Sequence, residues 1–351
     1  MARVLMKGNE AIGEAAVRAG CRFFFGYPIT PQTEIAEYLA KRFPEVGGYF
    51  IQAESEVAAI NMIYGAACTG TRVFTSSSSP GISLMSEGMS YIAASEVPVV
   101  VVNIVRAGPG LGGILPSQGD YWQATRGMGH GDFRLLVLAP ASVQEAADLV
   151  MLAFDLADKY TNPVMIIGDG IIGQMMEPVE FREMIDPATL PKKPWALTGA
   201  KGRAPNIITS LFLDPIVLEA LNQRLLKKYR RMEAEEKRWE EYNVSDGMEV
   251  LVFAWGTMSR ISKTAIDELK NEGIKVGLFR PITLYPFPYE AAGEAIGRAK
   301  KIISVELSTG QMIDDVKLAG CGKDVAFFGR QGGIVPTPEE VKQEFLKLIE
   351  R

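Results

Sequence analysis

The sequence of 351 residues contains only three cysteines and one histidine, and it has neither a long hydrophobic run nor a net positive charge. Cys21, Cys68 and Cys321 lie far apart and form no Cys-X-X-Cys pair, which is the usual spacing in zinc and iron–sulfur sites. The sequence therefore predicts no metal site built on cysteine, and we expect all three residues to be reduced, buried thiols.

The net charge of −5 argues against a nucleic-acid-binding surface, because such surfaces need a basic patch to neutralise phosphates. No stretch approaches the ~20 apolar residues of a membrane-spanning helix. The first residues also lack the apolar core of a secretory signal peptide. We therefore expect a cytoplasmic protein that binds neither nucleic acid nor membrane.

Several common catalytic motifs are also missing. The sequence has no G-X-S-X-G elbow, no Walker A loop and no G-X-G-X-X-G that opens a helix after a strand. His130, the single histidine, is more consistent with a structural role than with a catalytic base. Serine hydrolases, P-loop enzymes and dinucleotide-binding enzymes are therefore not supported.

Hydrophobic patterns divide the chain into three parts. Strands alternate with helices over residues 1–190, which predicts an α/β domain with a mostly parallel sheet. Residues 191–245 form a connecting segment with one long charged helix over 216–242, which is either a solvated surface or a brace against a domain or partner. Residues 246–351 form a second α/β domain.

Two polar motifs in the first domain offer groups for a carboxylate, at the sheet edge where such folds usually bind ligands. Gly26-Tyr-Pro-Ile-Thr-Pro places the Thr30 hydroxyl at the start of a helix predicted over 31–43, although Thr30 can equally be a plain N-cap. Val105-Arg-Ala-Gly-Pro-Gly presents the guanidinium of Arg106, which is alternatively a surface arginine in a flexible turn. The glycines that follow permit a mobile loop over 116–122 that closes over a site.

Two further motifs contain other polar groups. Glu54 and Glu56 stand at the start of a helix predicted over 56–70, which is apolar nearly all round and therefore predicted to be buried. One interpretation is that they are first-turn acidic caps. The other is that the low-dielectric surroundings raise the pKa of one of them, which gives a carboxyl that can be protonated. Thr75-Ser-Ser-Ser-Ser-Pro-Gly is predicted to be a polar loop that binds a ligand or forms a hydrogen-bonded turn.

Together with Pro116-Ser-Gln-Gly-Asp, these motifs occur in an order that resembles the 2-oxoacid:ferredoxin oxidoreductases. The resemblance covers almost the whole chain. It implies a pyrimidine-binding domain of the thiamine-diphosphate-binding fold, followed by a transketolase C-terminal-like domain, in an alpha-type subunit. The stretch Gly-Leu-Gly-Gly-Ile-Leu-Pro-Ser-Gln-Gly-Asp-Tyr is most similar to the 2-oxoisovalerate branch, and the 2-oxoglutarate branch comes next.

The resemblance also implies roles for individual residues. Glu56 matches the glutamate that contacts the aminopyrimidine ring of thiamine diphosphate and shares a proton with it, and Glu54 is the alternative. Thr30 and Arg106 match residues that hold the substrate carboxylate. Three neighbours of Thr30 are expected to contact the cofactor: Tyr27, Pro28 and Ile29.

A separate subunit is implied to bind the cofactor's diphosphate, Mg²⁺ and a [4Fe-4S] cluster. The complex would then decarboxylate a 2-oxoacid oxidatively, with coenzyme A as acyl acceptor and ferredoxin as electron acceptor. Gly168-Asp-Gly looks like the opening of the cofactor's metal motif, but no asparagine occurs in residues 187–201, so we predict a turn without metal. The alternatives are a self-sufficient thiamine enzyme, which the missing diphosphate half disfavours, and a non-catalytic α/β scaffold.

Overall fold

The computed structural model describes residues 3–350. Its strands are β1 (Val4–Lys7), β2 (Phe23–Gly26), β3 (Tyr49–Gln52), β4 (Val73–Ser77), β5 (Val99–Val105), β6 (Leu136–Leu138), β7 (Pro163–Asp169), β8 (Met176–Val179), β9 (Trp239–Tyr242), β10 (Met248–Phe253), β11 (Val276–Pro281), β12 (Thr283–Tyr285), β13 (Ala299–Glu306) and β14 (Ala326–Gly329). Its helices are α1 (Gly8–Arg18), α2 (Thr33–Glu45), α3 (Glu56–Ala67), α4 (Pro80–Ala94), α5 (Tyr121–Thr125), α6 (Val143–Tyr160), α7 (Gly170–Gln174), α8 (Pro215–Glu235), α9 (Gly256–Asn271), α10 (Tyr289–Gly297), α11 (Ile313–Ala319) and α12 (Pro338–Glu350).

The larger sheet has seven strands in the order β12-β6-β7-β5-β4-β2-β3. All neighbours are parallel except β12, which pairs antiparallel with β6. Every residue of β5 is buried, because this run of valines lies at the centre of the sheet and is covered on both faces. The predicted α/β class with a mostly parallel sheet is confirmed.

The smaller sheet has five strands in the order β14-β13-β10-β11-β9. Its strands are parallel except β9, which runs antiparallel to β11. Helices α9 and α12 pack together against this sheet, where buried side chains such as Val250, Ile266, Leu278 and Phe345 form a second core. A separate two-stranded ribbon pairs β1 with β8.

An ion pair and a buried hydrogen bond connect the two sheets. Both Nη atoms of Arg280, in β11, donate to the carboxylate of Glu145, at the start of α6, at 2.9 Å each. Asp169, at the end of β7, accepts a hydrogen bond of 2.7 Å from the Thr257 hydroxyl in α9. Because Asp169 is buried, its pKa is raised despite these hydrogen bonds. These contacts hold the carboxyl edge of the larger sheet against α9.

The second helix begins later than predicted. It starts at Thr33 with Gln32 as its N-cap residue, so Thr30 is not the N-cap. The carbonyl of Pro31 accepts hydrogen bonds from the side chains of Asn9, at 2.7 Å, and Gln174, at 3.1 Å. Thr30 and Pro31 lie in a turn, and these two side chains hold the Pro31 carbonyl outside the helix that begins at Thr33.

Three other predicted elements have different bounds. The serine motif is not a loop up to Ser77, because Thr75, Ser76 and Ser77 belong to the buried strand β4. The Gly168-Asp-Gly segment is not a turn, since β7 runs to Asp169 and α7 follows at once. The charged helix ends at Glu235 instead of Tyr242, because residues 239–242 form β9 and pair with β11.

Two further expectations concern exposure. Cys21 and Cys68 are buried as predicted, but Cys321 is exposed, because it lies in the loop after α11 and not in a core element. Burial raises the pKa of the Cys21 thiol to about 12. Within residues 3–350, none of the helices is both long and apolar enough to span a membrane.

Candidate active site at the carboxyl edge of the larger sheet

The four polar motifs meet at one edge of the larger sheet. Strands β5, β4, β2 and β3 are neighbours and run parallel, so their carboxyl ends lie side by side. Arg106 follows β5, the last serines follow β4, Thr30 follows β2, and Glu56 follows β3. This is the edge at which open α/β sheets usually bind ligands.

Glu56 is the first residue of α3, and its side chain is only 5% exposed. The hydroxyl of Ser55 caps this helix by accepting a hydrogen bond from the Ala58 amide at 3.2 Å. The helix N-terminus favours negative charge at this position. Glu54, just outside the helix, is exposed to solvent. The structure therefore separates the two glutamates into one buried and one solvated carboxylate.

Gly81, near the start of α4, allows the Glu56 carboxylate to approach the adjacent backbone closely. A Cβ atom at this position would lie 2.5 Å from Oε1 of Glu56 and 2.0 Å from Oγ of Ser77. Both distances are shorter than real Cβ contacts, so any other residue here would force the Glu56 and Ser77 side chains to shift. The sequence analysis did not select Gly81, although the Pro-Gly pair at the end of the serine motif was a visible signal.

Several buried polar atoms at this edge have no protein partner among the described residues: the hydroxyls of Ser77 and Ser78 and the Nε of Arg106. Their neighbours are paired. The Thr75 hydroxyl donates to the carbonyl of Phe25 at 2.7 Å, and the Ser76 hydroxyl donates to Oε1 of Gln32 at 2.6 Å. Unpaired buried polar atoms are costly, so a cluster of them indicates a place where a polar ligand binds.

Arg106 and Thr30 are in direct contact. Nη1 of Arg106 donates to the backbone carbonyl of Thr30 at 3.1 Å, and Nη2 donates to the carbonyl of Leu111 at 2.9 Å. Thr30 itself is exposed, as are Tyr27 and Pro28, whereas Ile29 is half-buried. The structure thus brings the two carboxylate-binding candidates together through main-chain atoms, at the rim of the site.

A buried polar network that the sequence analysis missed supports Arg106 from below. Asn103, in β5, donates to the carboxylate of Asp120 at 2.9 Å and accepts from the Ser79 amide at 3.1 Å. The Ser79 hydroxyl in turn accepts from the Arg106 amide at 3.1 Å. Burial raises the pKa of the Asp120 carboxyl. The signal in the sequence was an asparagine inside an otherwise apolar strand.

The segment after the glycine-rich loop is anchored, in contrast to the predicted mobile closure over 116–122. Gln118 is buried; its side chain donates to the carbonyl of Trp255 at 2.8 Å and accepts from the Leu307 amide at 3.0 Å. The Ser117 hydroxyl also donates to the carbonyl of Leu307, at 3.2 Å. These contacts bind the segment to the smaller sheet, so only residues 108–115 form an exposed loop beside Arg106.

The remaining candidates lie outside the site. His130 is exposed in a loop. Asp169 accepts hydrogen bonds from Thr257 and from the amides of Ile171 and Ile172, so its carboxylate serves as a helix cap and domain contact. Over residues 3–350, no group of three or more His, Cys, Asp or Glu side chains is arranged to hold a metal ion.

Two family models match the sequence. One, described as pyruvate flavodoxin/ferredoxin oxidoreductase, thiamine diphosphate-binding, matches residues 14–243. The other, described as pyruvate:ferredoxin oxidoreductase core domain II, matches residues 248–341. The first match alone covers more than half of the chain.

Curated relatives align over nearly the full length. The ketoisovalerate oxidoreductase subunit VorB of Methanothermobacter thermautotrophicus is 50% identical over 95% of this chain and 94% of its own length. The 2-oxoglutarate synthase subunit KorA of Methanocaldococcus jannaschii is 37% identical over 97% of this chain and 98% of its own.

Solved structures with a similar fold include the 2-oxoglutarate:ferredoxin oxidoreductase of Magnetococcus marinus, determined with 2-oxoglutarate, coenzyme A and succinyl-CoA bound. It superposes with a TM-score of 0.87 at 28% identity; the match covers 99% of this chain but only 65% of that one. A split-gene transketolase has the same fold at a TM-score of 0.58 and 15% identity, covering 98% of both chains. The chain therefore belongs to the 2-oxoacid:ferredoxin oxidoreductase family as an alpha-type subunit, and it carries that family's thiamine diphosphate-binding module.

Proposed function

We propose that this chain is the pyrimidine-binding subunit of a 2-oxoacid:ferredoxin oxidoreductase that acts on 2-oxoisovalerate, with coenzyme A as acyl acceptor and ferredoxin as electron acceptor. One observation carries the proposal: a buried carboxylate, Glu56, shares the carboxyl edge of a parallel sheet with a paired Arg106 and Thr30. In the same proposal, residues 1–190 form the pyrimidine domain, 191–245 the connection and 246–351 the transketolase C-terminal-like domain.

The residues at this edge fit the pyrimidine half of thiamine diphosphate. Glu56 supplies a carboxyl shielded from water, and the unpaired hydroxyls of Ser77 and Ser78 supply polar contacts. Tyr27, Pro28 and Ile29 follow β2 at the same edge of the sheet. When bound, the cofactor supplies the carbanion chemistry that decarboxylation of a 2-oxoacid requires. The role of Glu56 is to hold a proton at its carboxyl oxygen against the ring nitrogen.

Arg106 is suited to bind the carboxylate of the substrate. Its two Nη atoms already donate to main-chain carbonyls, which fixes the plane of the guanidinium. Its buried Nε has no partner among the described residues. A substrate carboxylate can accept from Nε and from the remaining N–H groups, and the Thr30 hydroxyl can donate a further hydrogen bond.

The exposed apolar face of α3 is suited to contact a partner subunit at this edge of the sheet. The sequence predicts that this helix is buried, but Val57 and Met62 are 46% and 41% exposed, and no charged residue follows Glu56 within the helix. Leu84, on the neighbouring α4, is 53% exposed. We propose that the cofactor's diphosphate, Mg²⁺ and a [4Fe-4S] cluster are bound by a partner chain that covers this face.

The loop beside Arg106 favours an apolar substrate side chain. Leu111, Ile114 and Leu115 are 83%, 61% and 55% exposed, and residues 107–118 contain no charged side chain. A second carboxylate, as in 2-oxoglutarate, would need a cation at this position. The ketoisovalerate subunit VorB is also more similar to this chain than the 2-oxoglutarate subunit KorA is, at 50% against 37% identity.

A panel of 2-oxoacids tests the proposal. The native complex would be supplied with thiamine diphosphate and coenzyme A, and reduction of an artificial electron acceptor would be followed. We expect the highest kcat/KM with 2-oxoisovalerate and lower values with pyruvate and 2-oxoglutarate. A clear preference for 2-oxoglutarate would refute the substrate assignment, and no turnover with any 2-oxoacid would refute the proposed activity.

A further inference from the structure

A cavity lies at the opposite edge of the larger sheet from Glu56. It has a volume of about 680 Å³ and is lined by residues that precede β2 and β4, such as Arg22 and Arg72, and by the segment 187–203. Because β2 and β4 are parallel neighbours, these residues lie at the amino ends of the strands. The volume is in the range of cavities that bind small molecules, ~300–1,000 Å³.

The cavity is basic, although the chain as a whole carries a net charge of −5. Five cationic side chains line it, and no acidic side chain is part of the lining: Arg22, Arg72, Lys192, Lys193 and Arg203. Clustered cations with low-dielectric walls attract anionic ligands.

Two of the five cations are neutralised by neighbouring carboxylates. Arg72 pairs with Asp155 at 2.7 Å and with Asp158 at 2.9 Å. Lys193 pairs with Asp158 at 2.5 Å. These contacts make Arg72 and Lys193 part of the cavity wall, and they leave little of their charge for a ligand.

The other three cations have no carboxylate partner within ion-pair distance among residues 3–350. Nη1 of Arg22 donates to the carbonyls of Val17, at 2.9 Å, and Cys21, at 2.8 Å. Arg203 donates to the carbonyl of its neighbour Ala204 at 2.7 Å, and Lys192 is exposed. Asp186 also acts electrostatically on Arg22 without forming an ion pair with it. The positive charge of Lys192 and Arg203 is therefore the most available to a ligand.

The cavity also has an apolar wall, formed by Phe23, Leu190 and Pro191. Phe23 is half-buried and stacks on Tyr49 with ring centroids 5.2 Å apart, so its position is fixed. The threonine hydroxyls of Thr69 and Thr71 add polar contacts. A lining with both cationic and apolar side chains suits a molecule that carries both phosphate groups and a ring.

We propose that this cavity is a binding site for a small phosphorylated organic molecule, with Arg22, Lys192 and Arg203 contacting its phosphates and Phe23 and Leu190 contacting its apolar part. The site is separate from the carboxyl-edge site, because it lies at the other ends of the same strands. The proposal does not depend on the assigned 2-oxoacid.

Titration calorimetry on the purified full-length chain tests this site with two probes, ADP and inorganic pyrophosphate. We expect saturable binding of both, with ADP the tighter because only ADP has a ring for the apolar wall. The affinity for both should fall with added salt. In the double variant K192A/R203A we expect ADP affinity to fall by about tenfold or more, since charge-assisted hydrogen bonds are lost. Lys227→Ala, which removes an exposed cation of α8 outside the cavity, serves as the matched control.

Three results would overturn the proposal. The first is the absence of saturable binding to the wild-type chain. The second is equal ADP affinity in the wild type and in K192A/R203A. The third concerns the complete complex assembled with thiamine diphosphate: equal ADP affinity of the wild-type and K192A/R203A complexes would show that a partner chain covers the cavity. Oxidation of 2-oxoacids by the K192A/R203A complex, measured in parallel, distinguishes failure of this site from failure of the proposed enzyme activity.

Discussion

Arg106 donates a hydrogen bond from Nη1 to the backbone carbonyl oxygen of Thr30 at 3.1 Å. The two residues are 76 positions apart in sequence and belong to the loops after β5 and β2. A second bond, to the carbonyl of Leu111, fixes the same guanidinium. Arg106 is thus held in a defined plane, and its buried Nε has no partner among the described residues.

Replacing Arg106 with alanine should weaken substrate binding. The lost charge-assisted hydrogen bonds correspond to ~1.5–3 kcal/mol, or about 10–100-fold in KM for the 2-oxoacid. The KM for coenzyme A should not change. Steady-state kinetics of the complex measure both values, with Arg182→Ala, an exposed arginine of the segment after β8, as the control. An unchanged KM for the 2-oxoacid would show that its carboxylate is held elsewhere.

Replacing Gly81 with alanine should displace the Glu56 carboxylate. The added Cβ would lie 2.5 Å from Oε1 of Glu56 and 2.0 Å from the Ser77 hydroxyl, so both side chains must shift. Overpacking of this kind costs ~1–3 kcal/mol of stability. We expect a large loss of kcat together with a modest fall in the urea midpoint.

The control is Gly297→Ala in α10, where a Cβ meets nothing within 4 Å. This variant should keep wild-type activity. If Gly81→Ala keeps full activity as well, Glu56 does not need the position that it has in the structure.

The thiols should differ in reactivity. Cys321 is exposed, whereas Cys21 is buried with its pKa raised to about 12, and burial also raises the pKa of Cys68. Thiolates are the reactive species, so almost none forms at Cys21 near pH 8. We expect a thiol-specific reagent to modify one cysteine per folded chain and three after unfolding in denaturant. Fast modification of two or more thiols in the folded chain would contradict this burial.

Replacing Thr257 with valine should loosen the contact between the two sheets. Its hydroxyl donates to the buried Asp169 carboxylate at 2.7 Å, and a hydrogen bond to a charged group contributes ~1.5–3 kcal/mol. Urea denaturation should show a loss of stability in that range. Thr264→Val, an exposed threonine on the same helix, should change stability little. Equal stability of the two variants would contradict a structural role for the Asp169 contact.

The elements with strong periodicity could be predicted from the sequence. The alternation of strands and helices over 1–190 correctly predicted a mostly parallel sheet, because the apolar patterns that carry it are local in the sequence. The late start of α2 could not be predicted, because it depends on Asn9 and Gln174, which reach Pro31 from distant parts of the chain. The strand β9 was missed for a related reason: its exposed, charged sequence is ordered only by pairing with β11.

The candidate site could also be predicted only in part from the sequence. The order of the polar motifs after strands predicted which residues would meet, and the structure brings Thr30 and Arg106 into contact. The support from Asn103, Asp120 and Ser79 could not be inferred, because it depends on side-chain positions across two strands and a loop. The anchoring of Gln118 to the smaller sheet was equally invisible, since glycine-rich neighbours indicated mobility.

The central claim is that Glu56, and not Glu54, is the carboxyl that acts on the cofactor. The most direct measurement compares 2-oxoacid-dependent reduction of an artificial acceptor by complexes that contain E56Q or E54Q. Because Glu56 is buried at the sheet edge and Glu54 is exposed, we expect E56Q to lose ~10²–10⁴-fold in kcat while the complex still assembles, and E54Q to stay close to wild type. Wild-type turnover by an assembled E56Q complex would contradict the claim.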